Sequence, residues 1–184
     1  MRFLAPASLA LVLVMSVTGC KPKETTKPAV PTAGTPSTHG PLNHALPRLA
    51  TLKLWLGSQE LVAEVARTPT EVQTGMMFRT NIADNEGMLF IFSRPIRVSF
   101  YMRNTIVPLS CAYLDPEGVI LEIHDLKPRD ETPVEAGSDN VQFVLETAPG
   151  WFQRNGIRVG AVARTEHGAF QEINWVTLRR ARPR

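Results

Sequence analysis

The sequence predicts a mostly-β fold: a single compact β-sandwich or partly open β-barrel domain with two short helices. Three observations carry this. Short apolar runs rich in β-branched and aromatic residues recur between residues 49 and 180. Tight-turn residues separate them, and only two stretches carry helix-start features. That pattern belongs to packed or curled antiparallel sheets rather than to alternating strand–helix units.

The elements follow in chain order. Thr51–Leu56 (TLKLWL) and Glu60–Val65 (ELVAEV) read as strands joined at Gly57-Ser58. Thr68-Pro69-Thr70-Glu71 matches a capping box, with Pro at the first helical position, where its missing N–H costs nothing. A short helix should run from there to about Met76 or Met77. Met88–Phe92 (MLFIF) is apolar on both faces, as a fully buried strand is. Val98–Arg103 alternates: Val98, Phe100 and Met102 face one way, Ser99, Tyr101 and Arg103 the other. Pro108 then restricts the chain before Leu109–Leu114.

Asp115-Pro116-Glu117-Gly118 is a turn, with Pro at its second position and Gly where a left-handed residue is needed. It should join Leu109–Leu114 to Val119–His124 as a hairpin. If Asp115 pairs with Val119, counting outward sets Cys111 against Ile123 and Ala112 against Glu122. Cys111 and His124 then lie on opposite faces. Asp125–Asn140 is polar, contains Pro128 and Pro133, and reads as a loop. Val141–Leu145 is a further strand. Ala148-Pro149-Gly150-Trp151 opens the second short helix, with Gly156 as its left-handed cap. Ile157–Ala163 and Phe170–Leu178 supply the last strands.

The chain ends differ from this region. MRFLAPASLALVLVMSVTGC has Arg2, an apolar run from Phe3 to Val17, then small residues. The run is short for a membrane span and reads as a secretory signal over residues 1–19. Val17-Thr18-Gly19-Cys20 resembles the bacterial lipoprotein signal, whose processing leaves a lipid-modified cysteine, here Cys20, as the first residue. Each buried acyl methylene contributes about 0.8 kcal/mol, and two chains anchor a protein stably. The resemblance implies a lipid-anchored cell-envelope protein facing the periplasm. Lys21 stands where an inner-membrane retention signal has Asp, which points to the outer membrane in a Gram-negative cell. Residues 20–48 are rich in Pro and Thr with almost no bulky apolar side chains. They read as a disordered tether that spans on the order of 80 Å if extended, at about 3.1 Å per residue. The domain proper is residues 49–180, and residues 181–184 form a basic tail.

The formal net charge is only +3. No basic stripe with interleaved aromatics occurs, which argues against nucleic acid. Cofactor motifs are absent, and no cysteine or histidine sits at metal-ligand spacing. His39 and His44 read as solvated tether residues. Met76, Met77, Met88 and Met102 could make a soft copper(I) site, but their apolar neighbours favour packing. Cys111 is expected to be a small core residue. The remaining candidates end or interrupt apolar runs: Arg79, Tyr101, Arg103, Asn104, Thr105 and Glu146. Two arginines at one rim could hold a small anionic or polymeric envelope ligand by paired hydrogen bonds. Alternatively, Arg103 and Glu146 could form a structural ion pair, with Asn104 and Thr105 satisfying a corner's backbone groups.

Six blocks in this order resemble the family "domain of unknown function 192": GMMFR (Gly75–Arg79), EGMLFIF (Glu86–Phe92), VSFYMRNTIVPL (Val98–Leu109), DPEGVILEI (Asp115–Ile123), FVLE (Phe143–Glu146) and Gly150-Trp151. Their order and spacing match across about Glu60 to Gly160. The resemblance implies a small mostly-β domain, often exported, with no assigned catalytic residues. The family pattern has Trp-Met-Lys-Asn-Thr where this chain has Tyr101-Met102-Arg103-Asn104-Thr105, and often Asp where it has Ser110. The leading expectation is a non-catalytic ligand- or partner-binding domain. The alternatives are a hydrolase of an envelope polymer, with Glu146, Glu122 or His124 as its titratable group, and a structural or assembly factor.

Overall fold

The computed structural model describes residues 40–175. The strands are β1 (Thr51–Leu56), β2 (Gln59–Ala66), β3 (Glu86–Ile96), β4 (Ser99–Phe100), β5 (Leu109–Leu114), β6 (Ile120–Leu126), β7 (Val134–Glu135), β8 (Val141–Thr147), β9 (Ala163–Thr165) and β10 (Gly168–Ala169). Two short α-helices, α1 (Pro69–Thr74) and α2 (Trp151–Arg154), and a 3-10 turn at Phe170–Glu172 complete the described elements. The signal segment, Cys20, His39 and the C-terminal arginines lie outside the described residues, and no described helix is long and apolar enough to cross a membrane.

Eight strands form one mixed sheet in the order β10-β9-β1-β2-β3-β8-β5-β6, and β4 pairs only with β7. The β2–β3 pair is parallel, so the chain must cross over between them, and α1 lies in that crossover. The sheet curls until its far ends touch. Val119 bridges Val162, Ile120 N–H bonds Ala161 O at 2.8 Å, and Gly160 N–H bonds Ile120 O at 2.8 Å. Ala163 N–H also bonds Gly118 O at 2.9 Å, but β6 does not pair as a strand with β9 or β10, leaving a partly open barrel.

Curling gives the sheet an inner core and an outer one. Leu54, Leu61, Leu89, Phe143 and Leu145 fill the inside, where Trp151 and Phe152 of α2 also pack. Met88, Phe90, Met102, Cys111, Tyr113 and Val144 form the outer cluster. Strands β3, β5 and β8 therefore bury both faces, which is why MLFIF shows no alternation. Fully burying one such side chain contributes about 1.5–3 kcal/mol.

The local signatures are realised. Thr68 is extended, its hydroxyl accepts from Glu71 N–H at 3.3 Å, and Glu71 Oε2 accepts from Thr68 N–H at 2.9 Å. Thr68→Ala is expected to cost about 1 kcal/mol, read as a lower urea midpoint at unchanged slope. The helix stops at Thr74 rather than at Met76 or Met77, because Gly75 leaves helical geometry at φ 47° and a Cβ there would lie 3.0 Å from the Phe90 ring.

Several expectations change. The Val98–Arg103 strand is cut to Ser99–Phe100, because Met102 N–H bonds Asp130 O at 2.7 Å instead of a neighbouring strand. The alternation of burial nonetheless persists: Val98 and Met102 are buried, while Ser99, Tyr101 and Arg103 are exposed. Asn104 adopts φ 58° and its carbonyl accepts from Phe78 N–H, so the polar trio does build a corner. Val134–Glu135, read as loop, forms β7. Residues 157–161 are not a strand, since their backbone groups serve the closure at Ile120. Phe170 begins a 3-10 turn instead of a strand, and residues beyond 175 lie outside the described part. Contacts also reach back into the segment composition assigns to the tether: Leu46 is buried, and Leu42 N–H bonds Thr74 Oγ1 at 2.9 Å.

The β5–β6 register is shifted by one. Cys111 opposes His124, Ala112 opposes Ile123, and Tyr113 opposes Glu122. Asp115 and Val119 bond as expected, at 3.0 Å, but Leu121 is then bulged out of the ladder. The cause is non-local: both backbone polar groups of Ile120 are engaged by residues 160 and 161.

Candidate functional site

Strand pairing aligns the chemistry-bearing side chains in one row on the outer face. Glu64 of β2 pairs with Met88 of β3, Met88 with Glu146 of β8, Glu146 with Cys111 of β5, and Cys111 with His124 of β6. Residues paired across strands present side chains to the same face. The row therefore sets Glu146 between a thioether and a thiol.

Glu146 is 4% exposed, and its Oε2 has no hydrogen-bond partner. None of the ion pairs among the described residues includes it. Burial alone raises its pKa from 4.5 to about 8. At neutral pH the group is therefore mainly the uncharged acid. Cys111 and Tyr113 are pushed up too, first by burial, so both stay neutral.

Above Glu146 lies a cleft of about 290 Å³. Its walls are the end of α1 with Met76 and Met77, the β3 side chains Phe90 and Phe92, and the Ile96–Tyr101 segment. Phe90 and Phe100 meet edge to face at 5.1 Å. Thr105 and Arg97 also contribute to the lining. Among the described lining residues, Glu146 is the one acidic side chain.

Of the six expected ligand-binding residues, Glu146, Tyr101 and Thr105 share this cleft. Arg79 does not line it. Its guanidinium bonds Glu64 Oε2 at 2.9 Å, and Glu64 also takes Arg48 at 2.9 Å and Leu49 N–H at 2.7 Å. Arg103 and Asn104 sit exposed on the corner. Neither arginine lines the cleft, and no Arg103–Glu146 ion pair exists among the described residues.

The register correction places His124 beside Cys111, but no nucleophile results. His124 Nε2 bonds Glu122 Oε2 at 2.9 Å, and its ring packs on Tyr113 at 5.1 Å. Glu122 also accepts from Gly137 N–H at 2.8 Å. Cys111 is wholly buried, with its thiol held protonated. Ser110 is structural: its hydroxyl donates to Asp125 and accepts from Gly150 N–H at 2.8 Å, tying β5 to β6 and to the start of α2. No group of three or more potential metal-holding acidic, His or Cys side chains occurs among the described residues.

Sequence reasoning missed the walls. Met76, Met77, Phe90 and Phe100 read equally well as core, and only the crossover of α1 against β3 opens a cleft between them. The available signal was a single one: a glutamate inside the apolar strand VQFVLET.

Comparisons with known proteins agree with the blocks noted in the sequence. The profile of the family DUF192, described as an uncharacterized ACR, matches residues 53–165. A crystal structure from Sinorhizobium meliloti 1021, of a protein provisionally assigned as a transcription regulator, is similar at 28% identity and TM-score 0.62. It covers 66% of this chain and 98% of that one. A protein of unknown function from Novosphingobium aromaticivorans DSM 12444 is similar at 34% identity and TM-score 0.57, covering 62% of this chain and 83% of that one. No curated protein matches the chain.

Proposed function

The chain belongs to the DUF192 family, and from that premise we propose that it is a lipid-anchored envelope protein whose β domain binds a small, largely apolar ligand in the Glu146 cleft. The observation that carries the binding reading is the unpartnered Oε2 of a buried carboxyl that lines an open cleft. An unsatisfied buried polar atom costs about 1–3 kcal/mol. A structural glutamate would be paired, as Glu64 is. An unpaired one at a cavity is the arrangement expected of a group kept for a ligand.

Binding is favoured over hydrolysis because two of the three candidate acid–base groups lie elsewhere. Glu122 and His124 are bonded to one another and do not line the cleft. The regulator assignment belongs to the Sinorhizobium protein alone. The described helices have six and four residues, too short to lay a recognition helix along a major groove. The envelope part rests on the Cys20 signal and the Pro/Thr-rich segment after it.

Two measurements test the proposal. Cys20→Ser should move the chain from the membrane to the soluble fraction, and unchanged membrane association would defeat the lipid anchor. Ser99→Trp, at an exposed position on the cleft wall, should leave the melting temperature unchanged. It should abolish the thermal shifts that a library of small apolar compounds gives with the full-length chain. Equal shifts in both proteins, or none in either, would defeat the cleft as a binding site.

A further inference from the structure

Resting on the binding proposal, we infer that the ligand is a cationic amine with an apolar or aromatic body, its ammonium group meeting Glu146 at the cleft floor and its body lying against Phe90, Phe100 and the thioethers of Met76 and Met77. Three ligand classes could in principle fill this cleft. An anion is disfavoured: Arg79 pairs with Glu64 and does not line the cleft, the one described cation that does, Arg97, is exposed on the wall, and the buried titratable group of the lining, Glu146, is itself an acid. A neutral hydrogen-bond acceptor could take the proton of the acid and bury an apolar body against the walls, but it carries no charge for the aromatic faces or the carboxylate to attract. A cation gains from both. Aromatic faces attract an ammonium group by about 0.5–2 kcal/mol, more when it is desolvated. The methionine sulfurs add polarizable contacts. The carboxyl supplies the counter-charge that a buried cation requires.

The groups around Glu146 leave that counter-charge available. Cys111, across the strand pair, and Tyr113 in the next row of β5 both remain neutral. Tyr101 and Arg97 lie on the cleft wall, Arg97 exposed, and neither is bonded to Glu146. An arriving ammonium group thus meets an acid with no competing partner. The balance is simple: the bound amine keeps its proton, the carboxyl loses its own to solvent, and an ammonium–carboxylate pair remains.

Calorimetry on the full-length chain tests this with three isosteric probes: 2-phenylethylamine, 2-phenylethanol and phenylacetate. At pH 7 the amine should bind at least about tenfold more tightly than the alcohol, a difference of about 1.4 kcal/mol. Phenylacetate should not bind. Repeating the titration in buffers of different ionisation enthalpy should show about one proton released per amine bound, because the acid must ionise to pair. Glu146→Gln should remove that release and the preference for the amine over the alcohol. Alcohol or phenylacetate binding as tight as the amine would overturn the inference but leave the cleft a binding site. Amine binding without proton release, or with release unchanged in Glu146→Gln, would also overturn it. If none of the three probes binds, the inference fails, and the compound library with Ser99→Trp decides the binding site separately.

Discussion

Across pH 5 to 8, thermal unfolding of the wild-type chain is expected to move to lower temperature as pH rises, while Glu146→Gln holds nearly flat. The sign follows from linkage. Burial raises the folded-state pKa of Glu146 from 4.5 to about 8. Between those values the unfolded chain has lost this proton and the folded chain keeps it. The folded state binds more protons, so stability falls with rising pH. Below about pH 4.5 both states are protonated and the penalty vanishes. Above about pH 8 it levels off at its largest value. Each unit of pKa difference corresponds to about 1.4 kcal/mol, so the whole effect is a few kcal/mol, or on the order of 10 °C in melting temperature. Cys111 and Tyr113 act in the same direction but only at more alkaline pH, and Asp130, held below its usual range by hydrogen bonds from Thr132, acts only in acid. The pH 5–8 window therefore isolates Glu146 among the described groups with shifted pKa values. Glu146→Leu should go further and exceed wild-type stability at pH 8 while losing amine binding. That combination marks a residue retained for function at a cost in stability. Parallel curves for wild type and Glu146→Gln would show that the carboxyl is not buried and neutral.

Gly87→Ala should be strongly destabilising through contact alone. A Cβ at Gly87 would lie 2.7 Å from the backbone oxygen of Glu146 and 3.0 Å from Leu61 Cδ2. Gly87 does not have positive φ, so contact rather than conformation is the problem. The oxygen cannot retreat, because β8 is held between β3 and β5. Overpacking of this kind costs about 1–3 kcal/mol, and the upper end applies where the clash is with backbone. Gly137→Ala is the control. Its Cβ would come no closer than 3.4 Å, to the end of the Glu122 side chain, and its N–H bond to Glu122 survives. Urea denaturation should show a loss of about 3 kcal/mol for Gly87→Ala and a loss within about 0.5 kcal/mol for Gly137→Ala. Equal losses would mean that β3 and β8 are not packed as closely as the structure has them.

Much of the fold was legible because its signals are local. Thr68 and Glu71 are three residues apart, and the capping box they form needs nothing else. Gly57 and Ser58 turn the chain between Leu56 and Gln59, which pair directly. Apolar continuity alone identified Met88–Phe92 of β3 as buried. Where sequence reading stopped short, a distant partner had intervened. Ile120 is taken by residues 160 and 161, so the predicted register slips at Leu121 and His124 comes to face Cys111. Met102 bonds Asp130 and ends the strand that alternation had extended to Arg103. Arg79 pairs with Glu64, fifteen residues earlier in the chain, and does not line the cleft.

By itself, then, the sequence determined the secondary structure of most of the domain, its mostly-β class, its family and Glu146 as one of several polar residues that end or interrupt apolar runs. Only the tertiary structure decided that Glu146 is unpartnered, that it sits in a row between Met88 and Cys111, and that a cleft opens above it. The reason is physical. Helix caps and hairpin turns are fixed by neighbours along the chain. A carboxyl's charge state and its place at a cavity depend on which strands lie beside it and on what the crossover helix leaves uncovered.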